Sequence, residues 1–334
     1  MCAMNVLVVG LGSMGKRRIR LLQTREDVET IVGVDGREDR RLEVNTNLGI
    51  QAVVSIEEAL AICPQISCAF ICTSPLSHAA LIGECLHANL NVFTEINLVD
   101  SGYEENIALA KEKKKVLFLS STPMYRQEVK YIKQQVQESE EKVNYIYHVG
   151  QYLPDWHPWE KINDFFVGDK RTNGCREIMG IELPWMIDVF GDIENINVVH
   201  DKMSNLSISF DDNYFIQIFH KSGNKGTFIA DVVCRNAVRN LEVYSEHMYL
   251  KWDGKPTGLE VYDFNEKGMK HVGLYQQVEH QEGYQATIIE NAYAAEIEEF
   301  FCCIKGLKTQ RHTFEKDKQV IGWMNRIEGY DEKV

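Results

Sequence analysis

The sequence predicts an α/β protein in two parts. The first is a doubly wound parallel sheet, and the second is an α/β domain on a large, mostly antiparallel open sheet. Three observations predict it. The apolar run Val6–Val9 enters Gly10-Leu11-Gly12-Ser13-Met14-Gly15 and then a basic helical pattern through Leu22. Short apolar runs alternate with helical stretches from residue 4 to about 122, the order of β-α units. Beyond that, loosely alternating runs are separated by turn residues, as in an antiparallel sheet.

The glycine turn predicts strand, tight turn and helix in sequence. Gly10 makes the turn, Gly12 admits close backbone approach, and Gly15 lets helix and strand pack. The helix start offers free N–H groups and the positive end of its dipole to a pyrophosphate, with Ser13 and Met14 in the cradle. A second strand, Thr30–Val34, ends in Asp35, where a carboxylate that binds a ribose is expected. Such a carboxylate accepts from both ribose hydroxyls and repels a 2′-phosphate, which favours NAD. Arg37, a guanidinium two residues on, leaves NADP open.

Ser55 with Glu58 predicts a capped helix. Ser67–Cys72 is a continuous apolar run, as in a strand buried on both faces. It ends in Thr73-Ser74-Pro75-Leu76-Ser77-His78, a loop expected to face the ligand crevice. Asn91–Thr94 is a strand closed by Glu95-Ile96-Asn97. Gly102–Glu112 is predicted helical and Val116–Ser120 a strand, which closes a first domain at residues 1–122.

These residues carry a resemblance to the glucose–fructose oxidoreductase / inositol dehydrogenase / MocA (Gfo/Idh/MocA) family. The landmarks are Gly10–Gly15, Asp35, Thr73-Ser74-Pro75 with His78, Glu95 closing a strand, and Met124-Tyr125-Arg126. The resemblance extends to the C-terminal helix. It implies a Rossmann domain holding NAD through Gly10, Gly12, Ser13, Met14, Gly15, Asp35 and Arg37, with Thr73, Ser74, His78, Glu95 and Asn97 bordering the cofactor. It also implies hydride transfer to or from a carbinol of a sugar, nucleotide sugar or related polyol.

Two family motifs differ here. Members usually carry Glu-Lys-Pro where this chain has Glu95-Ile96-Asn97, and the lysine commonly handles the proton of the reacting hydroxyl. Ile96 has no proton to give, and Asn97 does not titrate. Many members also carry an Asp and a Gly-x-His on a helix facing the nicotinamide. Anchored on Gly180, the His position is Glu182 and the Asp position is Ile178, with Arg176 and Glu177 one turn earlier. Two readings follow. Either the acid/base is relocated, to Glu182, His157, Tyr125 or Lys161, or the scaffold binds NAD(P) or a sugar without turnover, as a non-catalytic or regulatory protein.

The second domain, residues 123–334, is expected to bind substrate and to mediate oligomerisation. After the strand-like Lys142–Tyr152 comes Leu153-Pro154-Asp155-Trp156-His157-Pro158-Trp159-Glu160-Lys161. Tryptophan faces suit the apolar faces of sugars, so Trp156, Trp159 and the orienting Arg126 are the candidate substrate contacts. Similar Tyr-Leu-Pro-x-Trp stretches in the family imply sugars made for bacterial surface polysaccharides. Asn195–Val199, Leu206–Phe210, Tyr214–His220, Gly226–Cys234, Asn240–Ser245 and Met248–Trp252 are predicted strands, followed by a hairpin over Val261–Val272. An apolar face on such a sheet predicts a homodimer or homotetramer. Asn291–Ile304 is a helix whose Tyr293, Ile297, Phe300 and Phe301 return to the first domain.

The chain has 334 residues, 44% of them hydrophobic and 25% charged, and a net charge of −13. That charge argues against nucleic acid and anionic membranes as partners. No apolar stretch has the length of a membrane span, and the early first strand leaves no room for a signal peptide. The nine cysteines lack C-x-x-C spacing, so reduced core thiols, a cytoplasmic setting and no metal are expected.

Overall fold

The computed structural model describes residues 3–156, 161–162, 165–281 and 285–330. The chain forms two compact units. One comprises residues 1–121 and 293–319, the other 122–292 and 320–334.

In the first unit the strands are β1 (Met4–Val9), β2 (Val28–Val34), β3 (Gln51–Val53), β4 (Ile66–Ile71), β5 (Asn91–Thr94) and β6 (Leu117–Leu119). They alternate with α1 (Ser13–Gln23), α2 (Glu38–Leu48), α3 (Ile56–Ile62), α4 (Pro75–His87) and α5 (Tyr103–Lys113). All pairings are parallel, in the order β3-β2-β1-β4-β5-β6. This is the doubly wound order, and its reversal between β1 and β4 opens a crevice at their carboxyl ends. Every residue of β1 is buried, as a central strand covered on both faces requires. Ser55 caps α3 by accepting from the Glu58 N–H at 3.2 Å, and the Glu58 carboxylate accepts from the Val54 N–H.

The second unit holds α6 (Gln127–Glu138), β7 (Asn144–Gly150), α7 (Gly174–Phe190), β8 (Ile193–Asp201), β9 (Asn213–His220), β10 (Lys225–Asp231), β11 (Val238–Tyr244), β12 (Tyr249–Trp252), β13 (Leu259–Asp263) and β14 (Gly268–His271). The chain ends with α8 (Glu290–Ile304) and α9 (Phe314–Ile327). Eight strands order as β14-β13-β12-β11-β7-β10-β9-β8, and all pairs are antiparallel except β7 with β10. Tyr145, Tyr147 and Val149 of β7 face inward, where α7 covers them. Tyr145 stacks on Phe190 at 4.1 Å, and Trp185 meets Tyr147 edge-on at 5.4 Å.

One predicted strand is absent. Leu206–Phe210 is irregular connection, although its residues alternate in burial. The Asp212 carboxylate accepts from the N–H groups of Met203 and Ser204, folding the segment back, and β8 pairs directly with β9. Alternation alone does not make a strand where no neighbour is free to pair.

Within the first unit, Phe300 of α8 packs edge-on to Phe70 at 5.3 Å and to Phe93 at 5.6 Å. Cys68, Cys72 and Cys85 are buried thiols, and burial pushes Cys68 and Cys85 up to about 12. Among the described residues, no helix is long and apolar enough to cross a membrane.

Candidate functional site

The glycine turn is fixed by sterics at two positions. Gly10 has φ +90°, and a Cβ there would meet the Cys72 carbonyl at 2.8 Å. A Cβ on Gly15 would lie 1.9 Å from the Gly10 carbonyl oxygen. Helix α1 therefore starts hard against β1. Its N-cap is Gly12, with no side-chain cap, and its first turn carries no acid. No acid within the helix's own first turn opposes an anion at this start. Ser13 and Met14 lie in that turn as expected.

Asp35 organises the turn as well as facing it. Its Oδ2 accepts from the Leu11 N–H at 2.8 Å and its Oδ1 from the Arg37 N–H at 2.9 Å. The Arg37 guanidinium donates twice to Asp39 on the surface. Arg40 approaches the turn more closely. It lies 3.5 Å from Asp35 Oδ2 and 3.6 Å from where a Gly12 Cβ would be. Arg41 braces the same loop through the carbonyls of Asp35 and Gly36. The sequence offered Arg37, Arg40 and Arg41 as neighbours on a helix start, and only the pairing with Asp39 separates them.

On the other side of the crevice, Thr73 and Ser74 keep accessible surface. His78, Glu95 and Asn97, expected to border the cofactor, are buried. His78 Nε2 lies 3.0 Å from the Thr73 carbonyl, and Nδ1 lies 2.6 Å from the Asn97 side-chain amide and 3.2 Å from the Thr94 hydroxyl. Burial lowers the His78 pKa, so the ring is a neutral brace holding the β4–α4 loop to the end of β5. Ile96 is half-buried between these two residues in sequence.

Glu95 belongs to a buried ion cluster. Arg18 donates to it from Nε at 2.7 Å and to Glu296 from Nη2 at 2.7 Å. Glu296 also accepts from the Ser121 N–H at 2.7 Å. The guanidinium lies over the Phe93 ring at 4.5 Å. Burial alone would lower the Arg18 pKa, but the two carboxylates hold it above its ordinary value, and burial raises that of Glu296.

In the second unit, Glu182, expected as an acid/base, is fully buried, and its Oε2 accepts from the Tyr147 hydroxyl at 2.7 Å and the Trp185 indole N–H at 2.6 Å. Its Oε1 lies 2.8 Å from the Arg239 guanidinium. Arg126, expected at the substrate, is also locked inward. It pairs with Glu128, donates to the Thr287 carbonyl at 2.8 Å and stacks on Trp252. Tyr125 is buried in the 3-10 turn Thr122–Tyr125, which packs on α7.

Trp156 is half-buried against the start of α7, 3.6 Å from the position of a Gly174 Cβ, and Lys161 is exposed. His157 and Trp159 lie outside the described residues.

Glu177 is the acid that sequence reasoning passed over. It sits on α7, five residues before Glu182, in a half-buried position. Its Oε2 is buried and has no hydrogen-bond partner among the described residues. Burial pushes its carboxyl up to about 8, the range suited to exchanging a proton at neutral pH. Its neighbour Arg176 is engaged instead with Glu328 and Asn325.

Residues 4–121 match a family model described as "Oxidoreductase family, NAD-binding Rossmann fold". A myo-inositol 2-dehydrogenase of Thermotoga maritima is 27% identical over 138 residues, which span 40% of this chain and 41% of that enzyme. Among solved structures, levoglucosan dehydrogenase in complex with NADH and L-sorbose matches with a TM-score of 0.80 at 16% identity, covering 98% of this chain and 96% of that one. UDP-N-acetylglucosamine 3-dehydrogenase from Acidithiobacillus ferrooxidans matches with a TM-score of 0.73 at 17% identity, covering 98% of each chain. These structural likenesses show a shared fold.

Proposed function

We propose that the chain, whose residues 4–121 match the NAD-binding Rossmann model of the Gfo/Idh/MocA oxidoreductases, is an NAD(P)-dependent oxidoreductase acting on a carbinol. The substrate class is a sugar, a nucleotide sugar or a related polyol, in cytoplasmic surface-polysaccharide metabolism. What carries the cofactor half is the turn itself, where Gly15 seats directly on the Gly10 carbonyl and Asp35 is held at its rim. Gly10, Gly12, Ser13, Met14 and Gly15 would hold the pyrophosphate. Asp35 would take the adenine ribose, and Arg40 beside it would accommodate a 2′-phosphate. Thr73 and Ser74 border the remainder.

The bound nicotinamide supplies the hydride partner for the carbinol carbon. The chain has to handle the hydroxyl proton, and Ile96 does not. Glu177 supports that role best, because its Oε2 has no hydrogen-bond partner among the described residues and burial pushes the carboxyl up to about 8. It lies on the helix where the family places its proton-handling residues. Tyr125 and Lys161 remain secondary candidates, and Glu182 with Arg239 would set the position of α7.

The test is a titration with NADH and NADPH read by nicotinamide fluorescence, followed by a screen of sugars for turnover. Asp35→Ala is expected to weaken NADH binding about 10- to 100-fold, the loss of one or two charge-assisted hydrogen bonds. Unchanged affinity would refute the cofactor assignment. A second reading, cofactor binding without turnover, draws on Ile96; NADH binding with no sugar oxidised by wild type would favour it.

The open face of the eight-stranded sheet supports a homodimer or homotetramer. Val199, Phe215, Ile229 and His148 lie in one row across β8, β9, β10 and β7. Val199 and Phe215 are 74% and 50% exposed, and Ile146 nearby is 46% exposed. A continuous apolar strip of this kind is a site for association. Phe215→Asp is expected to reduce the mass seen by light scattering to that of one chain. A wild type that is already monomeric would refute the arrangement.

A further inference from the structure

We propose that His148, Asp231 and Cys234 form a binding site for a zinc-class divalent metal ion on the second unit. His148 lies 83 residues before Asp231 and Cys234 three after it, and the parallel pairing of β7 with β10 brings His148 to the other two. That register sets Ile229 beside His148 and Asp231 beside Gly150. His148 Nε2 then lies 2.7 Å from Asp231 Oδ2. Asp231 Oδ1 accepts from the N–H groups of Val233 at 3.0 Å and Cys234 at 2.8 Å. This turn carries Cys234 back over the strand ends. A nitrogen, an oxygen and a sulfur ligand atom all fall within 4.8 Å of one another.

The site is built around a glycine. A Cβ on Gly150 would stand 2.4 Å from Asp231 Oδ2 and 2.9 Å from the Cys234 Cβ. Any other residue there would push the two ligands apart. Asp231 is buried, while His148 and Cys234 are half-buried, so the open side can admit water as a fourth ligand.

The donor set selects the ion. Imidazole, carboxylate and thiolate together suit Zn²⁺, whereas Ca²⁺ and Mg²⁺ demand oxygen ligands. Cys234 as thiolate and Asp231 as carboxylate supply two negative charges against the two positive ones. The two N–H bonds to Asp231 Oδ1 fix that carboxylate as outer-shell partners do. Without metal the same groups satisfy each other. His148 pairs with Asp231, and the Cys234 thiol donates to the Asn236 carbonyl at 3.0 Å. Binding releases the thiol proton to solvent and opens the His148–Asp231 contact to about 3.3 Å, the edge of a tetrahedron with bonds near 2.0 Å.

The experiment uses the untagged full chain, stripped of metal. Zn²⁺ is titrated in competition with a chromophoric chelator, and Co²⁺ is followed by absorption. The expected result is one ion per chain, with the intense visible bands of tetrahedral Co²⁺ and a near-ultraviolet sulfur-to-metal band. His148→Gln and Cys234→Ala, with circular dichroism unchanged, are each expected to weaken Zn²⁺ at least about 10-fold. Cys234→Ala should also abolish the sulfur band. The proposal is overturned if wild type and both variants bind Zn²⁺ equally. It is equally overturned if bound Co²⁺ is pale and octahedral with no sulfur band.

Discussion

Arg18→Met is expected to cost the first unit about 3–5 kcal/mol, read as a large fall in its urea midpoint at pH 7. The side chain is fully buried, with Glu95 and Glu296 on its guanidinium. Methionine keeps an apolar stem but removes the guanidinium over Phe93 and leaves two carboxylates buried without their cation, the strongly destabilising way to break such a cluster. The loss should shrink at pH 5, because burial already raises the Glu296 pKa and its carboxyl can then protonate. Adding Glu95→Gln and Glu296→Gln to Arg18→Met should recover much of the deficit. A midpoint within about 1 kcal/mol of wild type would mean that the cluster is not a pinned core of that unit.

Glu177→Gln is expected to lower turnover about 10²- to 10⁴-fold while leaving NADH affinity unchanged. The wild-type rate should also show a limb near pH 8 that the variant lacks. Stability gives an independent readout. Burial raises this carboxyl in the folded chain from about 4.5 to about 8. Its contribution is therefore fully present below pH 4.5 and is lost as pH rises to 8. The Tm of Glu177→Gln relative to wild type should rise between pH 5 and pH 8.5. A parallel pH dependence of the two Tm values would show that Glu177 is ionised at neutral pH, and wild-type rates would clear it of proton handling.

The cofactor half was legible because its signals are local. The glycine spacing, the Asp35 that ends β2 and the Ser55–Glu58 cap each depend on residues close in sequence. The partners of Glu95 were not legible, since Arg18 lies 77 residues before it and Glu296 comes from α8. Glu182 stood out as an acid at a motif position, but its partners Arg239 and Tyr147 come from distant strands of the sheet. Glu177 is distinguished by a buried Oε2 with no hydrogen-bond partner among the described residues, which no sequence pattern encodes. His148 and Asp231 are 83 positions apart and meet only through the β7–β10 register.

Glu296, Phe300 and Phe301 place a late segment of the chain at the centre of its earliest domain. Residues 1–121 pack with 293–319, and everything between belongs to the other unit. A ribosome making this protein exposes the entire parallel sheet long before the helix that neutralises Arg18 has been translated. Through that interval one face of β4 and β5 lacks its aromatic cover, and Arg18 has one carboxylate instead of two. The first unit is thus complete only once residues 293–319 have emerged.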